Sequence, residues 1–347
     1  MSMLSKHTMR VLHCSNNIAG QMWEYVQGLR ALGIEATALT FAPHPFGYQD
    51  DICLNLPSEP SVWRRIAKLV KNFVNVIKRY DVIHFHFGGT LLPHYLDLPI
   101  LKLLGKKMVM NYWGSEVRLR DVASRNNPFY NALNVHVIGN DDEKVKRMKR
   151  VSHYVKVAIV ADYELFSYVS PFFRQVAIVQ QAIDTSKFKP VFPNPNNSDP
   201  LIVHAPSRKN VKGTSYIEEA IARLKKKYRF DFLCLHQVKN EEVKEAFKKA
   251  DIVVDQLLLG TYGIVSVEAM TLGKPVICYI REDLFSKYPE DLPIVNANPH
   301  TIEDALETLL GDPKLRFELG MRSRAFAERY HDSKVVAEKL VTVYESL

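Results

Sequence analysis

Residues 251–280, DIVVDQLLLGTYGIVSVEAMTLGKPVICYI, hold the pattern on which the fold prediction rests. The apolar, β-branched run Ile252–Asp255 is typical of a buried strand. The spacing then predicts a short helix over Ser266–Leu272, because a glycine and a proline follow it closely. Val276–Ile280 again has the composition of a strand. The stretch therefore predicts a strand, a glycine-bearing loop, a helix and a second strand.

The loop inside this stretch carries Gly260 and Gly263. Glycines before a helix start let the backbone approach a ligand closely, and the exposed N–H groups there favour an anion. Glu268 is predicted in the first turn of the helix, where the helix dipole stabilises a carboxylate that can also reach a ligand. Spacing alone leaves two interpretations open, a ligand site or a buried βαβ unit with an acid near its helix start.

The segment GTYGIVSVEAMTLGKPVI, residues 260–277, resembles the donor-site signature of family 4 retaining glycosyltransferases. The resemblance implies an α/β fold of the GT-B type, in which two Rossmann-like doubly wound domains face a central cleft and a C-terminal helix crosses back to the first domain. It implies that Glu268 holds the ribose of the nucleotide. It also implies a set of residues that bind the donor, namely Gly260, Thr261, Tyr262, Gly263, Ile264, Val265 and Val238.

Three positions differ from the pattern of that family. A second glutamate is usual eight residues before Glu268, and this chain has Gly260 there. A histidine is usual where this chain has Trp113, which can stack on a sugar face but cannot exchange protons. The first strand-to-helix loop keeps Gly20 of a usual glycine pair. The resemblance places Gly20, Trp113 and Glu116 on the acceptor side of the cleft.

Basic residues mark another strand-to-helix loop, where Arg208 and Lys212 follow the predicted strand Leu201–Ala205. Cations at such a loop are well placed to pair with a diphosphate. The resemblance assigns this role to Lys212, and to Arg208 if the loop is one residue shorter than usual. With Glu268 they form the implied catalytic set. A purely structural role for either cation stays open.

The length of the chain predicts two domains, because 347 residues exceed one ordinary core. The content of 47% hydrophobic and 24% charged residues is typical of globular proteins and excludes general disorder. The boundaries predicted are 1–182 for the acceptor-side domain, 183–332 for the donor domain, and 333–347 for the helix that crosses back. The stretch Pro190–Pro200 is linker-like, since it is rich in proline and asparagine.

The charge and the cysteines limit the partners and the compartment. A net charge of +8 suits phosphorylated ligands, an anionic membrane or nucleic acid. Nucleic acid would rest on net charge alone, so we expect none. The four cysteines form no C-x-x-C pair, which indicates a reduced cytosolic protein without a zinc site. No apolar run reaches the roughly 18 residues that a membrane span needs, and the first residues are too polar for a signal peptide.

The segment Ser61–Tyr80 predicts an amphipathic helix without a single acid. We expect one apolar face, consisting of Val62, Ile66, Leu69, Phe73, Val76 and Ile77. The polar face carries Arg64, Arg65, Lys68, Lys71, Lys78 and Arg79. Two interpretations stay open, a helix that touches anionic lipid headgroups and a sheet-packed helix with a solvated basic face.

His84 and His86 alternate onto one face of the predicted strand Asp81–Phe87. Two ligands do not make a metal site, and neither a carboxylate nor a third histidine is close to them in sequence. We therefore expect no metal, and interpret both as cleft-lining or core histidines.

These patterns and the resemblance together predict a retaining, metal-independent glycosyltransferase of the hexosyltransferase type. It would use a UDP- or GDP-type sugar as co-substrate, no other cofactor, and a glycan or lipid-linked acceptor, as in bacterial cell-surface polysaccharide or glycoconjugate synthesis. We expect it in the cytoplasm, where it can be peripheral on the inner face of the membrane. A nucleotide-sugar epimerase and a non-catalytic nucleotide- or glycan-binding protein remain as alternatives.

Overall fold

The structure is a computed structural model that describes residues 9–45, 47–133 and 140–347. It divides into two compact units. The first comprises the described residues up to Leu119, those of 138–182, and Ser333–Leu347; the second comprises those of 120–137 together with Ile183–Asp332.

The strands and helices alternate along the chain, as expected for an α/β protein. The strands are β1 Arg10–Ser15, β2 Glu35–Thr40, β3 Ile52–Cys53, β4 Val82–His86, β5 Lys107–Tyr112, β6 Val157–Val160, β7 Gln175–Ile178, β8 Leu201–His204, β9 Asp231–Cys234, β10 Ile252–Val254, β11 Val276–Cys278 and β12 Val295–Asn296. The α-helices are α1 Gln21–Ala31, α2 Val62–Arg79, α3 Asp97–Leu103, α4 Arg120–Asn126, α5 Asp141–Tyr154, α6 Tyr163–Val169, α7 Lys209–Lys212, α8 Thr214–Leu224, α9 Asn240–Lys249, α10 Ile264–Thr271, α11 Glu282–Phe285, α12 Ile302–Gly311, α13 Pro313–Tyr330 and α14 Ser333–Glu345.

The sheet of the first unit has the order β3-β2-β1-β4-β5-β6-β7 among the described residues, and every pairing is parallel. The order reverses between β1 and β4, which defines a doubly wound sheet. Strands β1 and β4 are buried along nearly their whole length, as expected where helices cover both faces of a sheet. The reversal places the loops after Ser15 and His86 side by side at the carboxyl edge.

The C-terminal helix α14 packs on α1 within this unit. Val336, Ala337 and Leu340 of α14 share one buried cluster with Met22, Val26 and Leu29 of α1. Gly28 makes this contact close, since a β-carbon added to it would lie 2.1 Å from the Ser333 carbonyl oxygen.

The sheet of the second unit has the order β12-β11-β10-β8-β9 in the part that the structure describes, again with parallel pairings. Here the order reverses between β8 and β10. The two sheets confirm the predicted fold class of two doubly wound α/β domains. Two bounds were wrong by two residues: the predicted strand Val276–Ile280 is shorter, at Val276–Cys278, and the helix predicted over Ser266–Leu272 begins at Ile264.

Helix α2 differs from its prediction in the face that it buries. Phe73 and Val76 are buried, and Leu69 and Ile77 are partly buried, as predicted. Val62 and Ile66 are exposed, because the buried stripe of the helix runs through Phe73 and Val76 instead. Among the described residues, no helix combines the length and the apolar character that crossing a bilayer requires.

Candidate functional site

The loops at the sheet reversal of the second unit bring together the residues that the sequence singled out. Ligands of open α/β sheets bind outside the carboxyl ends of the strands at such a reversal. Lys212 ends α7, which follows β8, and Asp255 directly follows β10. Helix α10 begins beside them at Ile264.

Lys212 is held at this edge by two side chains that lie next to each other in sequence. Its Nζ donates to Asp255 Oδ1 at 2.8 Å and to Gln256 Oε1 at 2.6 Å. A β-carbon on Gly263 would lie 3.8 Å from the same Nζ. The ammonium group therefore lies beside Gly263, the residue that immediately precedes α10.

Asp255 is a buried carboxylate that organises the loop. Its Oδ2 accepts hydrogen bonds from Ser266 Oγ at 2.7 Å and from the Gly263 amide at 3.2 Å. Burial would raise the pKa of Asp255, but the charge of Lys212 and these hydrogen bonds hold the pKa below its ordinary value. The acid thus stays ionised and fixes both Lys212 and the start of α10.

The N-terminus of α10 has the geometry of an anion site. Gly263 is its N-cap, and the amides of Ile264 and Val265 lie in the first turn, where no intrahelical carbonyl is available. Glu268 was expected in this first turn and lies one turn further in, because the helix begins at Ile264. The amides and the Lys212 ammonium together can neutralise a diphosphate.

Gly260 has a structural role that its sequence position did not predict. Its φ is +82°, and a β-carbon there would lie 2.3 Å from Arg281 Cγ. Arg281 is buried, and its guanidinium pairs with Asp283 through hydrogen bonds of 2.9 and 2.7 Å. The side chain of Arg281 thus occupies the space into which a glutamate at position 260 would extend.

Thr261 and Tyr262 have buried side chains. Thr261 Oγ1 lies 2.9 Å from Tyr288 Oη, and Tyr262 Oη lies 3.1 Å from His331 Nε2. Because these hydroxyls are engaged inside the unit, only the backbone of the two residues is suited to contact a donor.

Arg208 and Val238 lie in the loops that follow neighbouring strands of this sheet. Arg208 is the exposed N-cap residue of α7, four residues before Lys212. Val238 is half-buried between β9 and α9 and follows Gln237, whose φ is +58°. Both positions belong to the carboxyl edge of the sheet, as the donor-site interpretation requires.

The acceptor-side residues Gly20, Trp113 and Glu116 all lie in the first unit. Gly20 precedes α1 with φ +74°, and a β-carbon there would lie 3.2 Å from the Tyr48 ring. Glu116 is buried and accepts hydrogen bonds from the amides of Trp113 at 2.5 Å and Gly114 at 2.9 Å. Burial raises the pKa of Glu116 to about 7. The acid therefore shapes the loop after β5 that carries Trp113.

Trp113 ends a directed chain of hydrogen bonds through the sheet. An indole N–H can only donate, and it donates to His86 Nδ1 at 3.2 Å. The proton of His86 must then be on Nε2, which donates to His13 Nδ1 at 3.0 Å. His13 Nε2 donates in turn to Tyr344 Oη at 3.2 Å, and Tyr344 donates to His84 Nδ1 at 2.6 Å. The chain requires neutral rings, and burial lowers the pKa of all three histidines.

The three histidines are close enough for a metal site, since their ligand atoms lie within 4.8 Å of one another. Their orientation favours the hydrogen-bonded chain. The rings of His84 and His86 are stacked, with centroids 4.5 Å apart and planes 5° apart. A histidine binds metal in the plane of its ring, so the lone pairs of two stacked rings do not converge on one ion. Sequence reasoning missed His13, which lies 73 residues before His86.

Asp255, Gln256 and Arg281 also escaped the sequence analysis. Asp255 was included in the predicted strand as one of its buried residues, and a carboxylate at the end of an apolar strand is the signal that could have found it. Arg281 carries no comparable signal, since its contact with Gly260 depends on how the chain returns after β11.

Comparison with known proteins finds a family match within the second unit and solved structures with the same fold. Residues 231–326 match the family model "Glycosyl transferases group 1". Among curated proteins, no sequence matches the chain.

Solved structures with the same fold cover nearly the whole chain. A glycosyltransferase from Rickettsia africae is similar with a TM-score of 0.67 and 12% identity, covering 98% of each chain. Sucrose-phosphate synthase from Thermosynechococcus elongatus has a TM-score of 0.62 and 15% identity, covering 98% of this chain and 99% of its own. The Anabaena protein HepE in complex with UDP has a TM-score of 0.57 and 12% identity, covering 98% and 100%. The chain therefore has a GT-B-like fold, and its residues 231–326 are similar to the group 1 glycosyl transferases.

Proposed function

We propose that the protein is a retaining glycosyltransferase that moves a sugar from a nucleotide-diphosphate sugar to a glycan or lipid-linked acceptor. The observation that carries this proposal is the Lys212 ammonium group, which Asp255 holds beside the open end of α10 at the sheet reversal. A buried acid, a cation and free helix amides at one edge suit a diphosphate far better than a neutral ligand.

The donor chemistry is supported by the family match and by the similar structures. The matched segment includes the loop and α10. HepE, which has this fold, was solved with UDP. A UDP- or GDP-type sugar is accordingly the donor that we propose, with Glu268 on the ribose and the loop backbone on the diphosphate.

In the proposed reaction the bond from the anomeric carbon to the donor phosphate breaks and a bond to an acceptor hydroxyl forms. Lys212, the first-turn amides of α10 and the exposed Arg208 would stabilise the negative charge that develops on the leaving diphosphate. These cations and amides would take the role that a metal has in other transferases. The acceptor proton would pass to the leaving phosphate, since Trp113 cannot accept it. We further propose a cytoplasmic role in surface polysaccharide or glycoconjugate synthesis.

The Lys212→Ala variant tests the donor site. Calorimetry should show UDP binding weakened about ten- to a hundredfold, because a charge-assisted contact of roughly 1.5–3 kcal/mol is lost. Binding of uridine should change little. The same comparison of GDP with guanosine tests the guanine nucleotide in parallel. Lys209→Ala is the matched control, since Lys209 lies in the same helix but pairs with Glu218 at 3.8 Å. Equal losses for UDP and uridine would refute the diphosphate assignment.

The position of Arg281 supports one alternative function, that of a nucleotide-binding protein without transferase activity. This side chain fills the space beside Gly260 where the resembled family has a carboxylate. Wild-type protein that binds UDP through Lys212 but consumes no UDP- or GDP-sugar, with or without acceptor, would favour this alternative. Release of an isomerised sugar nucleotide without acceptor would favour an epimerase.

A further inference from the structure

Helix α2 has a wide apolar face, and only one stripe of it is buried. The buried stripe contains Phe73 and Val76, with Leu69 partly buried. The other stripe is exposed at Val62 (62%), Trp63 (80%), Ile66 (44%), Val70 (49%) and Val74 (42%). An exposed tryptophan beside four exposed aliphatic side chains is costly in water and calls for an apolar partner.

The third face of α2 is basic and borders the exposed stripe. It carries Arg64, Lys68, Lys71, Lys78 and Arg79. At 100° per residue this face is centred about 140° from the exposed apolar stripe, and Lys71 and Lys78 are the basic residues nearest to the stripe. No acid occurs within the helix, although Glu59 just before it pairs with Lys68 at 3.4 Å and Glu35 pairs with Arg79 at 2.9 Å. A basic face beside an apolar stripe with tryptophan is typical of helices that lie in a lipid interface.

A cavity of about 400 Å³ opens next to this helix, within the same unit. Leu69 of α2 and Leu56 just before the helix line it on one side. The other residues that line it are mainly apolar, and they include Phe41, Leu91, Leu92 and Pro93. Ser15, Asn16 and Gly88 line it at the carboxyl edge of the sheet, at the β1–β4 reversal. The cavity therefore joins the exposed helix to the edge where doubly wound sheets bind ligands.

We propose that α2 docks on an anionic lipid bilayer and that the adjoining cavity receives an apolar chain of a membrane-borne acceptor. The acceptor part rests on the transferase function proposed above. The docking part stands on the helix alone.

Charge complementarity favours an anionic bilayer over a second copy of the chain and over a nucleic acid as the partner of α2. A second copy of the chain would oppose one basic face with another, which is repulsive. A nucleic acid would satisfy the cations but leave the stripe of Trp63, Ile66, Val70 and Val74 in contact with water. An anionic bilayer offers both headgroup charge and an apolar layer at the right depth.

Vesicle co-sedimentation tests the docking. Full-length protein should bind vesicles of phosphatidylcholine with 30% phosphatidylglycerol, a composition chosen as roughly that of an anionic leaflet, and should not bind phosphatidylcholine alone. Binding should fall steeply between low and high salt. The triple variant Lys68→Gln/Lys71→Gln/Lys78→Gln should bind on the order of a hundredfold more weakly, at about fivefold per lysine.

A matched triple variant, Lys225→Gln/Lys226→Gln/Lys227→Gln, removes three exposed lysines from the second unit and should bind vesicles like the wild type. Both triple variants should keep the wild-type affinity for UDP, which separates this proposal from the donor site. Binding that ignores lipid charge, or a dimer in sedimentation analysis that is lost in the α2 variant, would overturn the docking.

An acyl chain that carries bromine tests the cavity. The variant Phe41→Trp in the Trp63→Phe background puts an indole in the cavity wall. Its fluorescence should be quenched by vesicles of chain-brominated phosphatidylglycerol, whereas Trp63→Phe alone, with Trp23 and Trp113 left, should show much less quenching. If both proteins bind vesicles and are quenched equally, the cavity does not receive a lipid chain.

Discussion

At the scale of single residues, buried polar groups determine the shape of both candidate sites. Asp255 holds Lys212 beside α10, Glu116 holds the loop of Trp113, and Arg281 fills the space next to Gly260. All three side chains are buried, so the charge of each depends on the hydrogen bonds around it.

Glu116 should make the stability of the protein depend on pH. Its pKa is about 7 in the folded chain, above the ordinary value of 4.5, because burial disfavours the carboxylate. Between these two pH values the folded state binds more protons than the unfolded state. The contribution of Glu116 to stability is therefore complete below pH 4.5 and is lost as the pH rises through 7. The free energy of unfolding falls by on the order of 3 kcal/mol over this range.

Urea unfolding of wild type and Glu116→Gln at pH 5 and pH 8 measures this contribution. The Gln variant loses stability at both values, since its NH₂ group faces a backbone N–H, but the difference from wild type should be smaller at pH 8. Glu143→Gln, at an exposed acid in α5, is the control. An unchanged pH slope in Glu116→Gln would contradict the assignment.

Gly260→Glu should destabilise the second unit rather than restore a sugar contact. The new side chain meets Arg281 Cγ at 2.3 Å and requires φ +82°. Left-handed backbone costs about 1–2 kcal/mol for a residue with a side chain, and displacing the buried arginine adds to it. Gly47→Glu is the control for the backbone term, since Gly47 has φ +70° with open space around its β-carbon position. Equal losses of unfolding free energy in the two variants would show that Arg281 does not resist the substitution.

At the scale of elements, the fold depends on how closely helices approach and on which helix face is covered. Helix α14 docks on α1 through Gly28, and Tyr344 near its end closes the hydrogen-bond chain that leads to Trp113. The last helix therefore helps to position Trp113, which also packs against the buried cluster that α14 shares with α1.

Gly28→Ala tests the contact between α1 and α14. The added β-carbon would lie 2.1 Å from the Ser333 carbonyl oxygen, so α14 must shift, at a cost of about 1–3 kcal/mol. Gly311→Ala, at the end of α12 with nothing within 4 Å of the new β-carbon, should be neutral or stabilising by up to about 1 kcal/mol. Thermal unfolding compares them. A Gly28→Ala protein as stable as Gly311→Ala would show that the helices do not meet at Gly28.

At the scale of the whole molecule, local sequence patterns predicted the fold because parallel strands buried on both faces are continuous apolar runs. The stretch 251–280 predicted its strand, loop, helix and strand from spacing that acts over a few residues. Lys212 and Gly263 were placed in carboxyl-edge loops in the same way, since glycines and charges at strand ends mark such loops. Their proposed roles, and that of Glu268, came from the resemblance to family 4 glycosyltransferases.

The sequence by itself thus determined the two doubly wound sheets and placed glycines and charged residues in the loops at their carboxyl edges. Only the tertiary structure decided which side chains meet there. His13 joins His84 because β1 and β4 are neighbours, and Lys212 meets Asp255 because β8 and β10 are. Helix α2 has apolar residues around a wide face, and only Phe73 and Val76 of them are buried. Such contacts depend on strand order and helix rotation, which are set by packing across the whole unit rather than by any local pattern.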